Sequence, residues 1–127
     1  MFDLGLKNKV ILITGGSDGL GYASAELLSS EGAKVIICGR RGDYLTEKAK
    51  TISEKTNNEV LAIQADVSKA DDCKKLVEKT ISKFKKIDIL LNNGGASAAA
   101  LFEEVTDKNW EDDINLKLMS TVRMCRL

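Results

Sequence analysis

Thr14-Gly15-Gly16-Ser17-Asp18-Gly19-Leu20-Gly21 is the stretch on which the reading of this chain turns. Val10-Ile11-Leu12-Ile13 stands before it, a short continuous apolar run of the kind that forms a strand buried on both faces. After it Leu20, Ala23, Leu27 and Glu31 recur at helical spacing, and Gly32 ends the pattern. The glycines therefore lie between a strand and a helix. Gly15 allows a tight exit from the strand, and Gly19 removes a side chain where the backbone would meet a diphosphate. Gly21 is expected to let the helix pack closely on the sheet. The free amides of the first helical turn, aided by the helix dipole, then face an anion. The Ser17 hydroxyl supplies one more donor.

Working outward, three further apolar runs follow: Val35-Ile36-Ile37-Cys38, Val60-Leu61-Ala62-Ile63, and Ile87 to Leu91 with Asp88 inside it. Helical patterns lie between them. Leu45, Ala49 and Ile52 mark the second helix. Cys73, Leu76, Val77, Thr80, Ile81 and Phe84 mark the third, with Ser68 opening it and Asp71 as a weak capping-box partner. Trp110, Ile114, Leu118, Val122 and Cys125 mark the fourth, with Thr106 as its N-cap. The order β-α-β-α-β-α-β-loop-α predicts an α/β fold, a Rossmann-type doubly wound parallel sheet with helices on both faces. The one long irregular stretch runs from Asn92 to Val105. It leaves the carboxyl end of the fourth strand, where open α/β sheets place ligands.

Composition narrows the functions available. The chain has 127 residues, enough for one domain, with 43% hydrophobic and 30% charged residues. Its formal net charge is zero, which argues against a nucleic-acid partner. There is no histidine, which removes Ser-His-Asp chemistry and histidine metal sites. Cys38, Cys73 and Cys125 are an odd count without a C-x-x-C pair, so we expect no disulfide framework, no zinc site and a reducing compartment. No basic-then-apolar leader and no apolar run near ~18 residues is present, so neither a signal peptide nor a membrane span is expected. Together these features predict a cytoplasmic protein.

The second strand ends Cys38-Gly39-Arg40-Arg41. An NAD-type site carries an acidic residue about twenty positions after the phosphate glycines, to hold the ribose. Gly39 has no carboxylate, and Arg40 follows it. A guanidinium there can bind the 2′-phosphate of NADP through charge-assisted hydrogen bonds, so NADP is expected over NAD. The competing reading is a solvated arginine pair at a helix start. A methyltransferase-type nucleotide site fits less well, because it too would place an acid at the end of this strand.

These segments together resemble the short-chain dehydrogenase/reductases, most closely their 3-oxoacyl-acyl-carrier-protein-reductase-like members. Asp66-Val67 is similar to the family's segment after the third strand, whose Asp contacts the adenine ring. Asn92-Asn93-Gly94-Gly95 resembles the family's Asn-Asn-Ala-Gly, with Gly94 in place of alanine; small residues there let backbone approach the cofactor ribose. Trp110-Glu111-Asp112-Asp113-Ile114-Asn115-Leu116 resembles the start of the family's long fourth helix. The resemblance places Asn115 at the catalytic asparagine that holds a water in a proton relay. It assigns cofactor contacts to Thr14, Gly15, Ser17, Asp18, Gly19, Leu20, Gly21, Arg40, Asp66, Val67, Asn93, Gly94 and Gly95.

The resemblance also implies a sheet order of 3-2-1-4 for this stretch, hydride transfer to or from a carbonyl or alcohol, and a homo-oligomer that uses the fourth helix. Leu116 and Met119, off the main stripe, are expected to face a partner. The family's serine and Tyr-x-x-x-Lys are expected after Leu127, in a domain of roughly 250 residues. Tyr44-Leu45-Thr46-Glu47-Lys48 has that spacing but lies on the helix after the second strand, at the adenosine end, and is read as chance. Three readings therefore stay open: the cofactor half of an NADP-dependent oxidoreductase, a dinucleotide-binding module without catalysis, and the remnant of a truncated gene.

Overall fold

The computed structural model describes residues 2–127. Strand β1 (Val10–Thr14) leads to helix α1 (Gly19–Ser30), then β2 (Lys34–Gly39), α2 (Gly42–Thr56), β3 (Val60–Gln64), α3 (Ala70–Phe84) and β4 (Ile89–Leu91). A 3₁₀ turn (Phe102–Glu104), α4 (Asp107–Ile114), a π turn (Asn115–Met119) and α5 (Ser120–Arg126) complete it. All four strands are parallel, in the order β3-β2-β1-β4. This is the expected doubly wound α/β sheet.

Period-two alternation explains why β1 and β2 read as unbroken apolar runs. Val10, Leu12, Ile36 and Cys38 enter one core with Cys73 and Leu76 of α3 and Met124 of α5. Ile11, Ile13, Val35 and Ile37 enter the other with Ala25 of α1 and Leu45, Ala49 and Ile52 of α2. Each fully buried Ile or Leu here contributes roughly 1.5–3 kcal/mol, so the central strands anchor both layers. Burial also pushes the Cys38 thiol up to about 12, which leaves it an inert core residue.

Four local expectations need correction. The buried face of α1 is Gly21, Ala25 and Ser29, whereas Leu20 and Leu27 are exposed. Gly21 must be small because α1 starts hard against the glycine turn, while Tyr22 and Leu28 pack at the edge of the core. Strand β4 is shorter than the apolar run. Asp88 exchanges hydrogen bonds with Val10, its carboxylate accepting from the Val10 amide at 2.8 Å while its own amide donates to the Val10 carbonyl at 2.9 Å. That pairing closes the entry to the strand, and the Val10 amide together with Lys86 holds the Asp88 carboxyl below its ordinary range.

Helix α3 begins at Ala70 with no side-chain cap, so Ser68 and Asp71 form no box. Asp66 instead accepts from both the amide and the hydroxyl of Ser68, and Asp72 accepts from the Asp66 amide at 2.8 Å. Thr106 does cap α4, and its box partner is Asn109. The fourth helix is interrupted by the π turn, and its buried residues are Ser120 and Met124, with Leu116 packed on the α3-side core. Trp110, Ile114, Leu118 and Val122 face outward. The anticipated stripe is thus the exposed face, and Leu116 faces the core rather than a partner.

Candidate dinucleotide site

Gly15 adopts φ +67° at the end of β1, and a Cβ there would stand 2.9 Å from the Asn93 carbonyl oxygen. At Gly21 a Cβ would stand 2.1 Å from the Gly15 carbonyl oxygen and 2.5 Å from the Asn93 amide nitrogen. Gly21 therefore serves close packing of α1 on the turn and on the loop after β4, not on the sheet itself. Gly19 is different: φ is +54° and the space around it is open. No side chain caps the first turn of α1, so its amides stay free for an anion.

The turn is tied to the carboxyl end of β4. The Thr14 hydroxyl accepts from the amides of Asn93 (3.0 Å) and Gly94 (2.8 Å), and the Asn93 side chain donates to the Gly15 carbonyl at 3.0 Å. Thr14 and Asn93 thus form the base of the site. Gly94 is tightly fitted, since a Cβ would lie 3.0 Å from a methyl of Val67.

Above this base lies a cleft of about 310 Å³. It gathers Gly15, Ser17, Asp18, Gly19, Arg40, Asp66, Val67, Asn93, Gly94 and Gly95 from the ends of all four strands. Among the described residues the Ser17 hydroxyl and the Arg40 guanidinium have no hydrogen-bond or ion-pair partner. Leu20 is 80% exposed and outside this lining. Asn115 borders an adjoining hollow of about 340 Å³ with Arg40, Asp66, Ser68, Asp112 and Leu116. Its side-chain oxygen accepts from Arg123 at 3.3 Å, and Arg123 also donates to the Ser68 carbonyl.

Two polar residues at the site were not assigned from sequence: Arg41, which lines the cleft, and Tyr44, which reaches it through Asp18. Arg41 pairs with Asp18 at 2.6 Å, its guanidinium lies 4.1 Å over the Tyr44 ring, and the Tyr44 hydroxyl donates to the other Asp18 oxygen. Tyr44 lowers the Asp18 carboxyl below its ordinary range, with Arg41 and Lys48 adding to the effect. At Asp66 burial pushes upward, but the two Ser68 hydrogen bonds, Lys69 and Arg40 outweigh it and the carboxyl is lowered. Both carboxylates are therefore ionised at neutral pH. Adjacency to Arg40 and the helical spacing of Tyr44 were the only signals in the sequence, and neither points to Asp18.

Open space at Gly19, uncapped helical amides, a free guanidinium at the end of β2 and a carboxylate at the end of β3 fit a dinucleotide. The fold and the cleft together define the doubly wound class of α/β proteins. The particular family is equally plain: the chain belongs to the short-chain dehydrogenases, matching that family over residues 9–127. It is 35% identical to 3-oxoacyl-[acyl-carrier-protein] reductase FabG of Chlamydia trachomatis over 120 residues, 94% of this chain and 48% of that protein.

Among solved structures, L-sorbose reductase from Gluconobacter frateurii, complexed with NADPH and L-sorbose, superposes with a TM-score of 0.95 at 36% identity. That match covers 98% of this chain and 48% of the other. An NADH-dependent reductase, A1-R′, responsible for alginate metabolism, superposes with a TM-score of 0.89 at 28% identity, over 98% of this chain and 51% of that one. The chain spans about half the length of these relatives. No helix among the described residues is long and apolar enough to cross a membrane.

Proposed function

We propose that the chain binds NADP as the cofactor-holding part of an oxidoreductase that moves a hydride between the nicotinamide and a carbonyl or alcohol carbon. One observation carries the choice of NADP. The end of β2 offers the cleft no carboxylate, because Gly39 stands there, while the Arg40 guanidinium lines the cleft unpaired. A ribose hydroxyl would find no acceptor at Gly39, whereas a 2′-phosphate would find a cation.

In this reading the Gly15–Gly21 turn and the first amides of α1 hold the diphosphate. Asp66 and Val67 border the adenine, and Asn93, Gly94 and Gly95 border the ribose nearer the nicotinamide. When bound, the dinucleotide supplies the hydride. For Asn115 we propose the water-holding part of a proton relay, supported by the π turn that opens there, a feature frequent at functional sites. Arg123 would fix the orientation of its amide. A small carbonyl or alcohol is the substrate class that goes with this assignment.

Titration of the chain with NADPH and NADH, followed by nicotinamide fluorescence, tests the reading. NADPH should bind more tightly, and Arg40→Ala should weaken NADPH by about tenfold while leaving NADH nearly unchanged, as expected for loss of one charge-assisted contact. Tighter binding of NADH by the unmodified chain would overturn the preference.

A second reading, a dinucleotide holder without turnover, has its own support. Tyr44 and Lys48 have the Tyr-x-x-x-Lys spacing, yet the Tyr44 hydroxyl is engaged by Asp18, which also pairs with Arg41. NADPH binding without reduction of any carbonyl in a substrate panel would favour it.

A further inference from the structure

Arg40 and Arg41 are neighbours in sequence and line the same cleft, but their electrostatic situations differ. Arg41 is already paired. Asp18 holds it at 2.6 Å, Tyr44 stacks against it, and the Tyr44 hydroxyl holds the second oxygen of Asp18. The three side chains form a closed ring in which each touches the other two. The remaining cation facing the ring is Lys48, 5.0 Å from the centre of the Tyr44 ring. Asp18 itself lines the cleft, one residue before the open space at Gly19.

Resting on the dinucleotide reading above, we propose that Asp18 is a specificity-determining residue that limits how strongly the site prefers a 2′-phosphorylated adenosine. It acts in two ways. Its carboxylate occupies Arg41 in the manner that a phosphate oxygen would, which leaves Arg40 as the cation open to the ligand. It also adds a negative charge to the wall that a phosphate must approach. Both effects fall mainly on the ligand with the extra phosphate. NADH and NADPH share the diphosphate, so its interaction with Asp18 cancels from their ratio.

The side chains of Arg41 and Asp18 are 64% and 54% exposed. Their pairing is therefore open to exchange and to screening by salt. It is a bias on ligand choice rather than a structural support. Exposure also means that Asp18→Asn keeps the shape of the turn while removing the charge.

The test measures dissociation constants for NADPH and NADH, and for the fragments 2′,5′-ADP and 5′-AMP, on the full chain and on Asp18→Asn, Arg41→Ala and the double variant. Far-ultraviolet circular dichroism checks that each is folded. Asp18→Asn should raise the NADPH-over-NADH preference by roughly fivefold or more, from Coulomb interaction across a wet cleft. The fragments should show the same ratio change, and it should shrink as salt is raised. In the Arg41→Ala background the part of the gain that comes from freeing Arg41 should be lost, and only the part that comes from removing the wall charge should remain. Tyr44→Phe, which frees one oxygen of Asp18 without altering charge, should shift the ratio in the same direction by less.

An unchanged ratio in Asp18→Asn, with both dinucleotides still bound, would overturn this proposal and leave the dinucleotide reading standing. So would an Arg41→Ala loss of NADPH binding as large as that of Arg40→Ala, because Arg41 would then already serve the phosphate. Failure of the folded, unmodified chain to bind either dinucleotide would overturn both.

Discussion

The glycine turn beside β1 and the outer face of α4 and α5 are the two most informative surfaces of the molecule, and they are finished to different degrees. At the turn every close contact is made within the described chain: Gly21 on the Gly15 carbonyl, the Asn93 side chain on the same carbonyl, Thr14 under the Asn93 and Gly94 amides. On the outer face of α4 and α5, Trp110, Ile114, Leu118 and Val122 are 40% to 58% exposed. Beside them the β4 edge leaves a hollow of about 460 Å³ lined by Leu12, Val77, Ile87, Leu90 and Met124. The contrast separates local from borrowed stability. A turn built from backbone contacts closes within this stretch of chain, whereas an apolar helix face needs something further to cover it.

The largest expected effect lies at the turn. Gly21→Ala forces a methyl into the Gly15 carbonyl and the Asn93 side chain, and both are fixed by other bonds. Overpacking of this kind costs about 3 kcal/mol. Urea denaturation should show that loss, together with loss of dinucleotide binding. A neutral outcome would show that the turn can open, and the contrast between the two surfaces would fail.

A smaller effect is expected where the sheet begins. Asp88 is held below its ordinary carboxyl range by the Val10 amide and Lys86. Its stabilisation is therefore present above the unfolded value, roughly pH 4. It is lost as pH falls through the lower folded value. Asp88→Asn should lower stability at neutral pH, where the carboxylate's contribution is fully present, and flatten the acid limb. Denaturation midpoints across the acid range check this, and an unaltered acid limb would remove Asp88 from the account of how β4 is anchored.

The smallest effect on stability is expected on the outer helix face. Leu118→Glu should change unfolding free energy by no more than about 0.5 kcal/mol, as for an exposed position. We propose that this face meets a second copy of the chain, so the substitution should nonetheless reduce self-association, read by sedimentation velocity. Marked destabilisation instead would mean that Leu118 already packs within the fold, and the two surfaces would differ less than their exposure indicates.

Which parts of this were legible beforehand follows from the range of the forces. Strands β1 and β2 are buried on both faces, so each announces itself as a local apolar run. Helices α2 and α3 meet the sheet with ordinary side-chain depth, and their buried residues Leu45, Ala49, Ile52, Cys73, Leu76 and Thr80 recur as a 3.6-residue period requires. The first helix was misjudged because it packs on backbone. Its fully buried positions are the small residues, Leu28 packs at the core's edge, and Leu20 and Leu27 are left outside. The fourth was misjudged because nothing among the described residues covers its apolar face, so a stripe that marks burial elsewhere is exposed here. Capping of α3 was misplaced because Asp66 takes both the amide and the hydroxyl of Ser68, the amide being the one that Asp71 was expected to serve.

The same division runs through the site. Strand, glycine turn and helix are contiguous, and the torsional freedom of Gly15 and Gly19 belongs to those residues wherever the chain goes; the fold class and the anion cradle were therefore written in the order of residues alone. Arg40 was visible as a cation in the position of a ribose acid. That it stands unpaired, while Arg41 beside it is held by Asp18, is a matter of three-dimensional placement. Asp18 and Arg41 lie 23 residues apart, and a charge pair between exposed side chains has no sequence signature, because it depends on distance rather than on order.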